Sequence, residues 1–391
     1  MEAIRPVRPV RLRSAAARPR PVVTELRLSA YTSHRGAAFP LGPVTLFTGA
    51  SGSGKSTALA AYESLARLGA GATLGEVFPD PAACVPERAA ADAQGRRGFR
   101  IGCTVDGPAG PVQLDLAVQA EPELRIVGER LTGGGQTLLA TALRDPGRPS
   151  VQAAWHTAGA VPVTRAPLPD DRLGTALLPL RVAGRTEGQL RVLAAAEQTV
   201  LALRSVFACD PQPQLMRVPV ARGQGRLRRG CGNLAAVLDR TLEHRQDRCA
   251  GRLAAAARAG CAGPVTELAV ERFADGTVRA LLARDASGVR PATPVDRLGE
   301  GELRYLALAL VLLTGPGVLA ADQPAEVDPA LRSLTVLADG FDRSLDRRQT
   351  GELLSLAAAV CAEDRLRLVG AVSDASYARG ATGVTVVDLN P

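Results

Sequence analysis

Between residues 22 and 57 the chain first alternates and then runs apolar. TELRLSAY and PVTLFTGA predict two strands, and the second leads straight into the glycine-rich run GASGSGKST. Behind that run, Leu59, Tyr62, Leu65 and Leu68 recur every three residues without a proline, which predicts a helix. Further on, Phe99, Ile101, Cys103 and Val105 alternate with polar or small residues, as do Val112, Leu114, Leu116 and Val118 across the turn DGPAG. That pattern predicts an antiparallel hairpin with one buried face, and LRIVGERL adds a third strand. From Gly133 to about Asp170 glycine and proline are frequent and the period is lost, which predicts surface loops or a partly ordered insertion.

Helical periodicity returns over residues 187–207 and, as one long element, over residues 232–260. VTELAVERF and TVRALLAR flank Asp275-Gly276, a hairpin signal. The last third predicts a helix over 303–313, a strand over 318–321, helices over 331–339 and 350–362, and two closing strands, RLRLVGAV and GVTVVDL. Helix–strand alternation here, with hairpins earlier, predicts an α/β fold with a mixed sheet, an antiparallel subdomain and a helical insertion. The boundaries this suggests are a basic tail (1–21), a first core segment (22–150), a helical insertion with a hairpin (151–295) and a second core segment (296–391).

Composition sharpens one position. The chain has 391 residues and 47 basic side chains, of which only Lys55 is a lysine. Arginine-rich, lysine-poor usage is the mark of a GC-rich coding sequence, so a lone lysine points to a place where a planar guanidinium cannot replace a compact ammonium. The formal charge of +8 is local: residues 1–20 carry +5 and residues 211–238 carry +5, so the remainder nets −2. A uniformly basic surface is thereby excluded. The run Arg222, Arg226, Arg228, Arg229 and the tail are candidate nucleic-acid contacts, with a solvated loop as the plainer alternative. Seven scattered cysteines show neither C-x-x-C nor paired Cys/His spacing, which suggests reduced thiols and a cytoplasmic protein. The longest apolar stretch is broken by Gly315-Pro316-Gly317, so no membrane span is predicted, and the N-terminus lacks the apolar region of a secretory signal.

Lys55 lies in a match to G-x-x-x-x-G-K-[ST], and the flanking strand and helix are the context that motif requires. Gly49, Ser51, Gly52, Ser53 and Gly54 would curl backbone N–H groups around a phosphate, with the helix adding its positive end. Lys55 would bridge the outer phosphates of ATP, while Ser56, with Thr57 beside it, would ligate Mg²⁺. Such a site needs an acid at a strand end, and GVLAADQP supplies Asp322 as the candidate metal ligand. Before it, RLGEGELRYLALALVLL opens an apolar helix from a glycine loop.

This order of motifs resembles the ABC-type ATPases of the SMC- and RecF-like group, and bacterial stand-alone ATPases of that group in particular. The phosphate loop, the strands ending in GERL, the stretch GNLAAVL with Asn233, and Leu298, Gly301, Leu303 and Arg304 carry the likeness, from about residue 22 onward. Residues 133–229 support it least. The resemblance implies an ATP-dependent homodimer in which Gly299 and Gly301 of one copy face the Lys55 loop of the other.

Three departures accompany it. Gly299 stands at the signature serine, Gln323 at the water-activating glutamate, and GAVSDAS at the switch histidine. Gln323 would be the catalytic position, yet glutamine orients water without taking its proton, and general-base help is typically worth about 10²–10⁴-fold. A switch with slow or absent ATP hydrolysis is therefore the leading expectation. The alternatives are an active ATPase in DNA maintenance or phage defence, with Glu326 as base, and a P-loop phosphotransferase. The latter leaves the spacing that begins at Leu298 unexplained.

Overall fold

The computed structural model describes residues 20–157, 163–223, 225–244, 247–285, 287, 289, 291–315, 333–363, 365–378 and 381–389. The first strands are β1 (Val22–Ser29), β2 (Ala37–Pro40) and β3 (Val44–Thr48), followed by helices α1 (Lys55–Gly69) and α2 (Leu74–Val77). Six more strands follow: β4 (Arg97–Asp106), β5 (Val112–Glu121), β6 (Arg125–Gly133), β7 (Gln136–Ala142), β8 (Ser150–His156) and β9 (Val163–Pro169). With β1 and β2 they form one eight-stranded antiparallel sheet, in the order β2-β1-β4-β5-β6-β7-β8-β9.

Its register sets the apolar positions opposite one another: Phe99 faces Val118, Ile101 faces Leu116, and Cys103 faces Leu114. All six are buried. This is the hairpin that the alternation predicts. The expectation of loops over 133–170 is overturned, because β7 to β9 extend the same sheet. Val151, Ala153 and Trp155 alternate inward, but their outward neighbours Gln152 and Ala154 are too small or weakly polar to mark the period.

The middle of the chain holds α3 (Gly174–Leu177), α4 (Glu187–Arg204), β10 (Val206–Ala208), α5 (Pro213–Met216), β11 (Val220–Ala221), α6 (Leu234–His244) and α7 (Asp247–Gly260). In the stretch expected as one helix over 232–260, the described residues are helical from Leu234 to His244 and from Asp247 to Gly260; α6 packs on the following hairpin, and α7 packs on that hairpin and on a later helix. That hairpin is β12 (Glu267–Arg272) with β13 (Thr277–Ala283), and β14 (Thr293–Pro294) also pairs with β13.

The chain ends with α8 (Glu300–Thr314), β15 (Leu334–Ala338), α9 (Arg347–Cys361), β16 (Leu366–Ala371) and β17 (Val384–Asp388). A five-stranded sheet runs β10-β15-β16-β3-β17, and every pairing in it is parallel. The expected helix over 331–339 is thereby corrected. Leu331, Leu334 and Leu337 have helical spacing, yet residues 334–338 form a strand buried on both faces, where alternation disappears and only an apolar run remains.

Two cores meet across this parallel sheet. Phe47 of β3 faces the side that holds Leu59, Tyr62, Leu65 and Leu68 of α1, which is sandwiched beneath the antiparallel sheet. Val44 and Leu46 face the other side, with Leu303 and Leu306 of α8 and Leu353 and Leu354 of α9. The strand β3 therefore lies between helices from both layers.

The antiparallel sheet carries one buried carboxylate. Glu129 on β6 is 3% exposed and accepts from the backbone N–H groups of Gly174 and Thr175, both at 2.6 Å, and from the Thr175 hydroxyl. Burial pushes its carboxyl above the ordinary range, while these donors pull it back. Glu129→Ala strands those donors in the core, so unfolding stability is expected to fall by about 3 kcal/mol in a denaturant titration. A change under about 0.5 kcal/mol, typical of a surface site, would contradict this account of the contact.

Candidate nucleotide site

β3 stops at Thr48, and the loop of residues 49–54 turns the chain into α1 at Lys55. Gly52 and Gly54 adopt φ of +82° and +97°, conformations that a side chain would strain. With Gly54 as N-cap, the first N–H groups of α1 have no capping side chain and point out of the helix end. Ser51 and Gly52 are exposed at the loop tip, and Ser53 closes it by donating its N–H to Ala50 O at 3.2 Å. Lys55 folds back over the loop, its Nζ donating to Gly49 O and Ala50 O at 2.7 and 2.9 Å. Thr57 follows in the first turn of α1.

Across from the loop stands an acid that the sequence reading missed. The Ser56 hydroxyl donates to Asp339 Oδ1 at 3.0 Å. Asp339 directly follows β15, which lies one strand away from β3 with β16 between them. An apolar run ending in aspartate, LTVLAD, was the available signal, and leucine spacing disguised it as a helix. Asp322, Gln323 and Glu326, the candidates of the sequence reading, lie outside the described residues.

Next to Asp339 comes Gly340, with φ +60° and the Arg343 guanidinium 2.8 Å from where its Cβ would sit. Asp342 is turned to the end of β16, where it accepts from Ser373 N, Ser373 Oγ and Asp374 N at 2.8, 2.7 and 3.3 Å. Asp346 caps α9, with Gln349 N donating to its carboxylate at 2.7 Å.

The glycine loop before α8 is tied into the same region. Gly299 is its exposed N-cap, and Glu302 bends back to accept from Gly299 N and Ala262 N at 3.0 and 2.8 Å. That capping contact holds the Glu302 carboxylate at the N-terminus of α8, where the helix dipole favours it. A Cβ on Gly301 would meet Ser344 O at 2.3 Å, so the loop packs directly on the turn that follows Asp339. Arg304 is 3% exposed and reaches the same turn: Nε donates to Arg343 O and Nη2 to Gly340 O, both at 3.0 Å. Its Nη1 donates to Pro211 O and lies 3.5 Å from Asp210. Asn233 braces a different loop, accepting from Arg228 N and donating to Arg226 O.

The residues of the loop suit a magnesium-bound nucleoside triphosphate. The loop offers a helix N-terminus, an ammonium and a hydroxyl beside a carboxylate, which is the donor set for phosphate and a hard cation. Ser53 Oγ and Thr32 Oγ1, in the adjacent turn, are buried without a hydrogen-bond partner among the described residues.

The basic run is less available than its composition suggests. Arg222 pairs with the buried Asp239 at 2.9 Å and with Glu243, and Arg229 pairs with Glu63 of α1. No helix among the described residues is long and apolar enough to cross a membrane.

Three solved structures are similar in overall layout. They are an Smc head bound to the C-terminal winged-helix domain of ScpA (11% identity, TM-score 0.48, 90% of each chain covered), the SMC head domain from Thermotoga maritima (13%, 0.44, 94% of each) and an Smc head with an extended coiled coil bound to the C-terminal domain of ScpA, from Pyrococcus furiosus (11%, 0.48, 92% of this chain and 91% of that one). No family model matches the chain, and no curated protein matches it.

Proposed function

We propose that this chain is an ATP-binding protein of the ABC type, RecF- and SMC-like, acting as a nucleotide-dependent dimerisation switch with slow or absent hydrolysis. The observation that carries the proposal is the hydrogen bond between Ser56, in the first turn after the phosphate loop, and Asp339, at the end of a neighbouring parallel strand. A hydroxyl and a carboxylate from these two places are the protein ligands of Mg²⁺ in P-loop nucleotide sites. In this reading Gly49, Gly52 and Gly54 shape the phosphate cradle, Lys55 leaves its loop carbonyls for the outer phosphates, and Ser56 and Asp339 hold the metal. Bound magnesium would neutralise phosphate charge; every other role falls to the chain.

Slow turnover follows from what surrounds Asp339. A water-activating carboxylate is expected directly after the metal acid, and Gly340 has no side chain there. Asp342 is engaged by Ser373 and Asp374, whose segment occupies the place of the switch histidine. The dimer reading is supported by exposure: Gly299 and Glu300, like Ser51, Gly52 and Ser56, are open to solvent. In the dimer, Gly299 and Gly301 of one copy face the Lys55 loop of the other.

Light scattering with ATP and Mg²⁺ is expected to show the mass doubling, with turnover below about one per minute, the 10²–10⁴-fold deficit of a site without its base. A mass unaffected by nucleotide would sink the switch, and brisk turnover would sink the account of Gly340.

A further inference from the structure

The loop of residues 49–54 is braced from behind by the antiparallel sheet, through a histidine. His34 lies in the tight turn that joins β1 to β2, closed by Tyr31 N to His34 O and His34 N to Tyr31 O at 3.0 and 2.9 Å. The turn is pinned at a third point by Thr32 N to Cys84 O at 2.8 Å. Tyr31 meets Phe99 edge-on at 5.1 Å, and the His34 ring meets Phe39 edge-on at 5.4 Å. His34 is therefore held on a rigid base and is 8% exposed.

Its free edge meets the phosphate loop. His34 Nε2 lies 3.1 Å from Gly54 O. A carbonyl oxygen only accepts, so the imidazole must donate from Nε2. Gly54 O also accepts from Ala58 N at 2.9 Å, the first hydrogen bond of α1. One carbonyl thus joins the histidine to the start of the helix. The ring also fills the space beside Gly54, since a Cβ there would lie 2.6 Å from His34 Nε2 and 2.8 Å from Ser33 Oγ.

We infer that His34 is a positioning residue for nucleotide binding: its Nε2–H and its ring hold Gly54, and with it the end of the loop and the N-terminus of α1, in the shape that accepts phosphate. This rests on the nucleotide-binding reading above. Without the brace, the loop must be ordered when the ligand arrives, and that cost is taken from affinity.

The test compares His34→Phe, which keeps a ring but has no donor, with His34→Gln, whose side-chain amide can donate to the same carbonyl. Hydrogen exchange of the peptide spanning residues 49–57, in full-length protein without nucleotide, is expected to quicken about tenfold in His34→Phe, the worth of one hydrogen bond. A fluorescent ATP analogue with Mg²⁺ should bind His34→Phe about tenfold more weakly, with His34→Gln within about threefold of wild type in both measurements. Should His34→Phe fail to fold, His34→Leu supplies the variant without a donor. Unchanged exchange and affinity in the variant without a donor would overturn the inference, as would a His34→Gln variant as impaired as His34→Phe. Failure of wild type to bind the analogue would overturn the functional reading instead, while the exchange comparison still tests the brace itself.

Discussion

Asp339→Asn is expected to lower affinity for magnesium-bound ATP by at least about 100-fold, because it removes a formal charge from the place where the divalent cation is held; even outer-shell partners of a metal are worth about 10–100-fold. Asparagine has the same shape and still accepts from the Ser56 hydroxyl, so the fold and the bond of 3.0 Å need not change. The effect should vanish in EDTA, where binding depends on the loop and Lys55 alone. Asp322→Asn provides the contrast and, with Asp339 as the proposed metal ligand, is expected to stay within about threefold of wild type. Titrating a fluorescent analogue with and without Mg²⁺ measures all four values. If Asp322→Asn showed the magnesium-dependent loss and Asp339→Asn did not, the assignment of the metal acid would be reversed.

The second large effect is on stability. Arg304→Ala empties a buried site where one guanidinium donates to three carbonyls, those of Pro211, Gly340 and Arg343. Each oxygen is then left in the protein without its donor, and the nearby Asp210 loses a counter-charge. Breaking a buried, hydrogen-bonded charge by truncation costs about 3–5 kcal/mol, which for a chain of this size lowers the melting midpoint by roughly 4–6 °C. Arg304→Lys should recover little, because a point-like ammonium cannot span three acceptors that a planar fork reaches together. Because Gly340 adjoins Asp339, the same variant is also expected to weaken magnesium-bound ATP by about tenfold. A midpoint within about 1 °C of wild type, the shift of less than about 1 kcal/mol, would refute this account of Arg304.

Local chemistry made part of this site legible in sequence. The glycine loop of residues 49–54 and its helix can be read there because their requirements are local: glycines where φ is positive, a lysine, a hydroxyl and a helix start, all within nine residues. Strands β4 and β5 could be read for a similar reason. Each buries one face only, so apolar and polar positions alternate, and residues such as Ile101 and Leu116 mark the period. The final strands, β16 and β17, were readable as apolar runs between turn residues. The carboxylate that meets Ser56 was not legible. Two apolar runs end in aspartate, at Asp322 and at Asp339, and nothing local separates them. The signature-like segment was recognisable from Leu298, Gly301, Leu303 and Arg304, whereas the purpose of Arg304 was not, because its partners lie at Pro211, Gly340 and Arg343.

The sequence alone determined the strand, loop and helix around Lys55, the hairpin of β4 and β5, and the α/β character of the chain. Periodicity carries such information wherever an element has one wet and one dry face. Only the tertiary structure decided that residues 334–338 are a strand, that β7 to β9 prolong the antiparallel sheet, and that Asp339 meets Ser56 across 283 positions. A strand buried on both faces loses its alternation, small outward residues blur it, and a contact between distant segments exists only once strand order is set.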